Sequence, residues 1–543
     1  MAYRFAIIFS ILFIAYGVLG FHLYEIQLVK GGYYYAKAQS QSLAAASTNA
    51  SRGAIYFTDK DGNTLPAAVN QEFPTIYAVP SAIKNVQEAA ATFAPVLDMP
   101  QSTLLKTFNK PKDSYELLTK KADASVAQKV TDINMPGVYA DFEPERFYPL
   151  STVASQILGF VGPNSSNAGE SGHYGLEKFY DDLLSGSSTD PGDDLTLTID
   201  PNIQIEAEKV LDNLVKANNA TGGSVIVEDP ETGKILAMGN DPSFDPNDYG
   251  SYPLADLTNV AVQSVYEPGS IFKVITMAAG IDAGKITPNT TYTDTGSVTV
   301  NGARITNYDL TTHGPYGPGT TMTNVIEHSI NTGAVFAESK IGNDIFTNYL
   351  KEFGFNQKTG VDLPGEVAGN MNALTPKARQ VAFATASYGQ GVAVTTLELI
   401  NAISAIANGG VLMRPYVNAA LSPQPIRRVI SESTAAQVAK MMVSAVDKAG
   451  VASIEGYSLA GKTGSAFIPD LVHGGYTDKL IDSYVGFGPT SNPRFVALIR
   501  LNTLPSSALA AESVVPAFRE LSQYIVNYYN IPPDRLTAGA RAQ

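Results

Sequence analysis

The sequence predicts an α+β chain: a single N-terminal transmembrane helix, an elongated middle body, and a larger C-terminal body whose antiparallel sheet is sandwiched by helices. Three observations predict it. Residues 5–24 contain no Asp, Glu, Lys or Arg. A run of turn formers, Ser185-Gly-Ser-Ser-Thr-Asp-Pro-Gly-Asp193, separates two long folded stretches. In the second stretch, strand-like segments at both ends flank a helical middle, so early and late strands can share one sheet with helices on its faces.

The first element is the apolar run. Twenty uncharged residues suffice to span a bilayer as a helix. Arg4 precedes the run and Glu25 follows it, a thin positive-inside bias that puts the N-terminus in the cytoplasm and the rest outside. The rival is a cleaved signal peptide with Ala36-Lys-Ala38 as its small-x-small site. That site lies far past the apolar run, behind Tyr33-Tyr-Tyr35, and an uncleaved anchor is favoured. Tyr24 and the Tyr33 to Tyr35 cluster suit the outer interface. The expected divisions are residues 1–4 cytoplasmic, 5–24 anchor and 25–50 juxtamembrane.

Residues 51–189 alternate short strands, as at 75–79, with helical patches at 86–97 and 104–109, and carry no catalytic constellation. Asp59-Lys-Asp-Gly62 superficially resembles a calcium loop but lacks the later ligands, so it reads as a hairpin turn. In residues 190–531, Gly223-Ser-Val-Ile-Val227, a turn at Asp229-Pro-Glu-Thr-Gly233 and Lys234-Ile-Leu-Ala-Met238 form a hairpin. Late strands are expected at 457–466, 482–487 and 494–501, and a C-terminal helix at 513–529 on the sheet face away from the central helices. Residues 532–543 read as a disordered tail.

Composition sets outer limits. A chain of 543 residues with 44% apolar content can fill more than one large core. A net charge of -14 and a pI of about 4.9 argue against a nucleic-acid partner, because phosphate binding needs a basic face. With no Cys, disulfides and thiolate ligands are excluded, and five scattered His offer no zinc spacing, so neither metal nor cofactor is expected. His313 and His328 read as packing or loop residues.

The chemistry lies in Ser270-Ile-Phe-Lys273, Ser329-Ile-Asn331 and Lys462-Thr-Gly464. Each fragment recurs elsewhere, at Ser81 to Lys84, at Ser165-Ser-Asn167 and at Lys358-Thr-Gly360, so context must choose. A Pro-Gly turn delivers Ser270 to the start of an apolar helix, where unpaired N–H groups favour negative charge. Lys358 instead sits in a Gly/Pro-punctuated surface turn. A serine hydroxyl needs a base, and a lysine serves only when desolvation or a neighbouring cation holds it neutral. Lys273 is that base. Lys462 is the neighbouring cation and a seat for a substrate carboxylate. Ser329 relays a proton to the leaving amine. Asn331, on the same side by alternation, holds Lys273 and the substrate amide, while Ile330 points away. Thr463 belongs to the substrate-binding strand, Gly464 lets a substrate backbone approach closely, and the N–H groups of Ser270 and Ser465 form an oxyanion hole, each donor worth about 3 kcal/mol.

At these residues the chain resembles the penicillin-binding proteins, and more narrowly the class B, division-type peptidoglycan D,D-transpeptidases. The resemblance extends to Arg52-Gly-Ala-Ile55, Arg146-Phe-Tyr-Pro149, Leu158-Gly-Phe-Val-Gly162, Gly175-Leu-Glu177, Leu195-Thr-Leu-Thr-Ile-Asp200, Val361-Asp-Leu-Pro-Gly-Glu366 and Tyr388-Gly-Gln-Gly391. It departs from the family pattern at Ser465, usually Thr, at Ile330, usually Ser, and in a box at Arg52 to Gly62 that is two residues longer. The resemblance implies a penicillin-binding, serine-β-lactamase-like catalytic domain on a pedestal of the dimerisation type. It implies peptidoglycan stem peptides as substrates, β-lactams as acylating inhibitors, and a polytopic membrane glycan polymerase and divisome proteins as partners. A membrane-anchored serine β-lactamase is the alternative: Glu398-Leu-Ile-Asn401 resembles a deacylation motif one residue short, within what reads as a plain apolar helix at 395–407. A catalytically silent structural partner is the third reading.

Overall fold

A computed structural model describes residues 2–24, 51–164, 169–186, 190–470, 472–505 and 509–535. Helix α1 is Ala2–Tyr24. Its side chains are described from Phe13 on, and over the described residues no helix is long and apolar enough to cross a membrane. Tyr33 to Tyr35, Ala36 to Ala38 and Ser165 to Asn167 lie outside the described residues.

The middle body is built on one long strand. β1 (Ile55–Thr58) and β2 (Thr64–Ala78) form a hairpin around the turn at Asp59 to Gly62. Asp59 Oδ1 closes it by accepting from the N–H groups of Asp61 (2.9 Å) and Asn63 (2.8 Å), the Asx-turn chemistry expected of the segment. Helices α2 (Val86–Leu97) and α3 (Gln101–Phe108) follow. Asn85 caps α2 through the N–H of Glu88, and Asp98 ends it in a left-handed conformation. β3 (Glu116–Thr119), α4 (Ala124–Ile133) and β4 (Val138–Phe147) complete the unit, with β4 paired along β2 from Val69 to Ala78. Its outer end has its own core of Ile76, Phe93, Leu104, Phe108 and Val130.

The base of this body is held by charge. Arg52, Arg146 and Glu177 come from three of the sequence boxes and meet in one buried cluster. Glu177, fully buried, receives Arg52 Nε and Arg146 Nε, each at 2.7 Å. Burial of a carboxylate this deep is tolerable because two guanidinium groups saturate it.

Leu195–Thr196 pairs in parallel with β1 and leads into the C-terminal body. There α5 (Pro201–Asn218), capped by Asp200, precedes the hairpin β5 (Gly222–Glu228) and β6 (Ile235–Asp241). The helical middle contains α6 (Phe272–Asp282), α7 (Asn331–Ile341), α8 (Thr396–Ala407) and α9 (Glu432–Ala449). β7 (Ala460–Pro469), β8 (Tyr476–Gly488), β9 (Phe495–Pro505) and α10 (Val514–Tyr528) close the chain. The sheet is antiparallel in the order β7-β8-β9-β5-β6, so early and late strands do share it. Alternation splits its side chains between two helical layers. Val225 and Val227 pack with Ile203, Leu211, Phe518 and Leu521 of α5 and α10, while Ile226 packs with the central helices. That α5 joins α10 on this face was not anticipated.

One expectation is corrected. Of the tail expected to be disordered from Pro532, residues 532–535 lack regular secondary structure but are held in place: Asp534 accepts from the Ser458 N–H at 2.7 Å and Arg535 pairs with Asp447 at 2.7 and 3.0 Å. Residues 536–543 lie outside the described ones.

Candidate active site

Ser270 lies in a single 3-10 turn, Gly269–Ile271, that runs straight into α6. Gly269 has φ +55°, and a Cβ there would stand 2.5 Å from the Ser465 carbonyl oxygen. The turn therefore rests backbone to backbone against the edge strand β7. Behind it, the Gly269 N–H donates to Gly389 O (3.2 Å), and a Cβ on Gly389 would stand 2.2 Å from Gly269 O. Gly389 of Tyr388-Gly-Gln-Gly391 thus has a role that sequence reasoning left unassigned: it admits the turn that carries Ser270.

Lys273 is fully buried, with Nζ 2.9 Å from Ser270 Oγ, 3.1 Å from Ser329 Oγ and 2.5 Å from Ser329 O. Lys462 reaches the same hydroxyl from β7, donating to Ser329 Oγ at 3.0 Å and to Thr463 Oγ1 at 3.2 Å. Burial, and then the charge of Lys462, hold Lys273 well below the usual lysine range. Burial alone pulls Lys462 down to about 7. A neutral Lys273 has one lone pair, for the Ser270 O–H, and two N–H groups, for Ser329. Ser329 Oγ thus bridges the two lysines.

Ser329 itself has φ +56°, just before α7. This left-handed residue corrects the expectation for Asn331. Strand-like alternation does not hold here; Asn331 opens a helix, and its amide donates to Thr306 O at 2.8 Å, with no bond to Lys273. Ile330 is buried in the core, away from the cleft as expected. The wall that carries Asn331 is fixed by Asp294, whose carboxylate accepts from Asn307 Nδ2 (3.1 and 3.2 Å), Thr332 Oγ1 (2.5 Å) and the Tyr316 N–H (2.8 Å). Sequence reasoning missed Asp294, for it stands in an unremarkable Thr293-Asp-Thr-Gly296 with no spacing signal.

The Ser465 hydroxyl is committed to Asp482 at 2.5 Å, consistent with only its N–H facing the chemistry. A Cβ on Gly464 would fall 2.6 Å from Pro268 O, so that glycine too is required by close approach. The second K-T-G is a turn: Glu366 binds the Thr359 N–H and hydroxyl, and Lys358 is exposed. Ser81 begins no catalytic helix but sits in a short turn at Pro80–Ala82. Glu398 is consumed by capping α8 with Thr395 and by the Gly369 N–H at 2.8 Å. His313 stacks on Tyr316 at 4.2 Å, as a packing residue does.

A family profile described as the penicillin binding protein transpeptidase domain matches residues 223–523, more than half of the chain, and one described as the penicillin-binding protein dimerisation domain matches residues 47–190. The chain belongs to the penicillin-binding proteins. Among members, it is 33% identical to the stage V sporulation protein D of Bacillus subtilis, over 81% of this chain and 73% of that one. It is 28% identical to the peptidoglycan D,D-transpeptidase FtsI of Escherichia coli, over 99% of this chain and 94% of that one. A solved penicillin-binding protein 3 from Mycobacterium tuberculosis, complexed with aztreonam, superposes with a TM-score of 0.69 and 26% identity over 90% of this chain and 99% of that one. This penicillin-binding protein has the two-part α+β architecture of pedestal and transpeptidase domain.

Proposed function

We propose that Ser270 is the nucleophile of a peptidoglycan D,D-transpeptidase. The single observation that carries the assignment is the Ser270–Lys273–Ser329–Lys462 network. Lys273, neutral, takes the Ser270 proton as Oγ attacks the penultimate D-Ala carbonyl of a stem peptide. The oxyanion forms against the Ser270 and Ser465 amides. Ser329 passes the proton to the departing D-Ala amine, and Lys462 with Thr463 holds the terminal carboxylate. An amine of a second stem then attacks the acyl-enzyme, forming the crosslink and freeing Ser270. Asn331 lines the wall above Ser329 and positions the substrate backbone. β-Lactams enter by the same acylation, in keeping with the aztreonam complex of the mycobacterial relative. The similarity to FtsI over 99% of this chain supports a role in septal wall synthesis; a separate glycan polymerase and divisome proteins are the partners that this reading requires. Incubating the protein with a stem peptide ending in D-Ala-D-Ala tests the chemistry: D-Ala release is expected from the wild type and not from Ser270→Ala.

The same reading puts residues 5–24 across the cytoplasmic membrane as an anchor. Its support is the uncharged run within the 23-residue helix α1 and the exposure of Phe13, Val18 and Phe21. The pedestal at 51–189 then carries the catalytic domain at 190–531 outside the cell. The chain lacks cysteine, so one introduced thiol reports topology: a membrane-impermeant maleimide labels Val472→Cys, 84% exposed, in spheroplasts and leaves Ala2→Cys unlabelled.

A further inference from the structure

The segment that binds Asn331 leads to a carboxylate that acylation does not use. Thr306 O takes the Asn331 amide, and Asn307 Oδ1 takes the Thr332 N–H at 3.0 Å. The next two residues are Tyr308, 69% exposed, and Asp309, half-buried. One Asp309 oxygen accepts from the Tyr316 hydroxyl at 2.5 Å. Among the described residues no Lys, Arg or His forms an ion pair with it. The Tyr316 ring lies 4.8 Å from that of His328, the residue before Ser329. Asp309 is thus hung on the wall that carries the serine bridging the two lysines, and its charge reaches Lys273.

That charge works against acylation, because a nearby carboxylate favours the ammonium form of a lysine that must be neutral. The second half-reaction supplies a reason for it. The acceptor amine arrives as an ammonium at neutral pH, in a cleft where Lys462, whenever it is charged, repels a cation. A carboxylate that, among the described residues, takes a side-chain hydrogen bond on only one oxygen offsets that repulsion. Once a cation is seated on it, its field on Lys273 is offset, which favours the neutral base that the acceptor's proton requires.

We propose that Asp309, with Tyr308 beside it, is the subsite that captures the cationic amine of the acyl acceptor. The inference rests on the transpeptidase reading above. The bound ammonium yields one proton to solvent. Its nitrogen then bonds to the acyl carbon, the carbon–Oγ bond of Ser270 breaks, and the second amine proton passes through Lys273 to Ser270 Oγ.

The test compares the full-length protein with Asp309→Asn, which keeps an oxygen for Tyr316 and removes the charge. Both are acylated by a thioester analogue of the donor stem, then offered Nα-acetyl-lysine amide, a cation, or hydroxylamine, neutral at the same pH. The variant is expected to acylate within about three-fold of wild type, to lose about ten-fold or more in aminolysis by the lysine amide, and to keep aminolysis by hydroxylamine. Equal loss with both acceptors, or no loss with either, would overturn the subsite. Absence of any acyl-enzyme in the wild type would instead overturn the transpeptidase reading, and the inference with it.

Discussion

Two lysines converge on one serine hydroxyl at this site, and neither is paired with a carboxylate there. Buried cations without counter-charges titrate low, which suits Lys273 to the base that the proposed acylation needs. The sign of the coupling is testable. Lys462 lowers the pKa of Lys273, so Lys462→Ala should raise it, and the rising limb of benzylpenicillin acylation against pH should move to higher pH. A second titration belongs to stability. Burial pushes Glu228 up to about 8, above its unfolded value, so its contribution is fully present below about 4.5 and is lost as pH rises through about 8. Thermal melts should show the wild type losing stability across that window relative to Glu228→Gln. The four residues that the structure brings together, Ser270, Lys273, Ser329 and Lys462, were legible in the sequence because the chemistry proposed for them needs fixed spacings. Asp294 and Asp309 were not, because a lone Asp in a turn looks the same whether it orders a wall or caps a loop.

Elements place these groups through backbone contact. The turn at Gly269–Ile271 touches β7 and the Gly389 loop with no room for a methyl group, so Gly269→Ala should shift Ser270 and slow β-lactam acylation about 100-fold, measured by stopped flow. The helix that begins at Phe272 and the sheet hairpin of β5 and β6 were readable from apolar periodicity and turn residues. β2 was read from 75 onward although it begins at Thr64, since Pro66, Pro74 and the polar Asn70-Gln-Glu72 break the alternation that marks a strand. Asn331 was misplaced for a related reason: one left-handed serine converts an extended motif into a helix start, and only the folded backbone records it.

The whole molecule is joined by more than a linker. Ile55, Phe57, Tyr148 and Leu176 of the pedestal share one core with Ile226, Ile235 and Phe244 of the catalytic body, so the base of the pedestal is part of the catalytic scaffold. Sequence boxes at Arg52, Arg146 and Glu177 were recognisable only as separate marks, since their convergence is a matter of long-range topology. Glu177→Ala leaves two guanidinium groups facing each other in that base and should cost about 3–5 kcal/mol in chemical denaturation. The central claim, that Ser270 forms a lasting acyl-enzyme, is most directly tested by intact-mass spectrometry of the full-length protein with benzylpenicillin over time, beside Ser270→Ala. A single persistent adduct on the wild type and none on the variant is the predicted result; an adduct on the variant, or rapid turnover of the drug by the wild type, would contradict it.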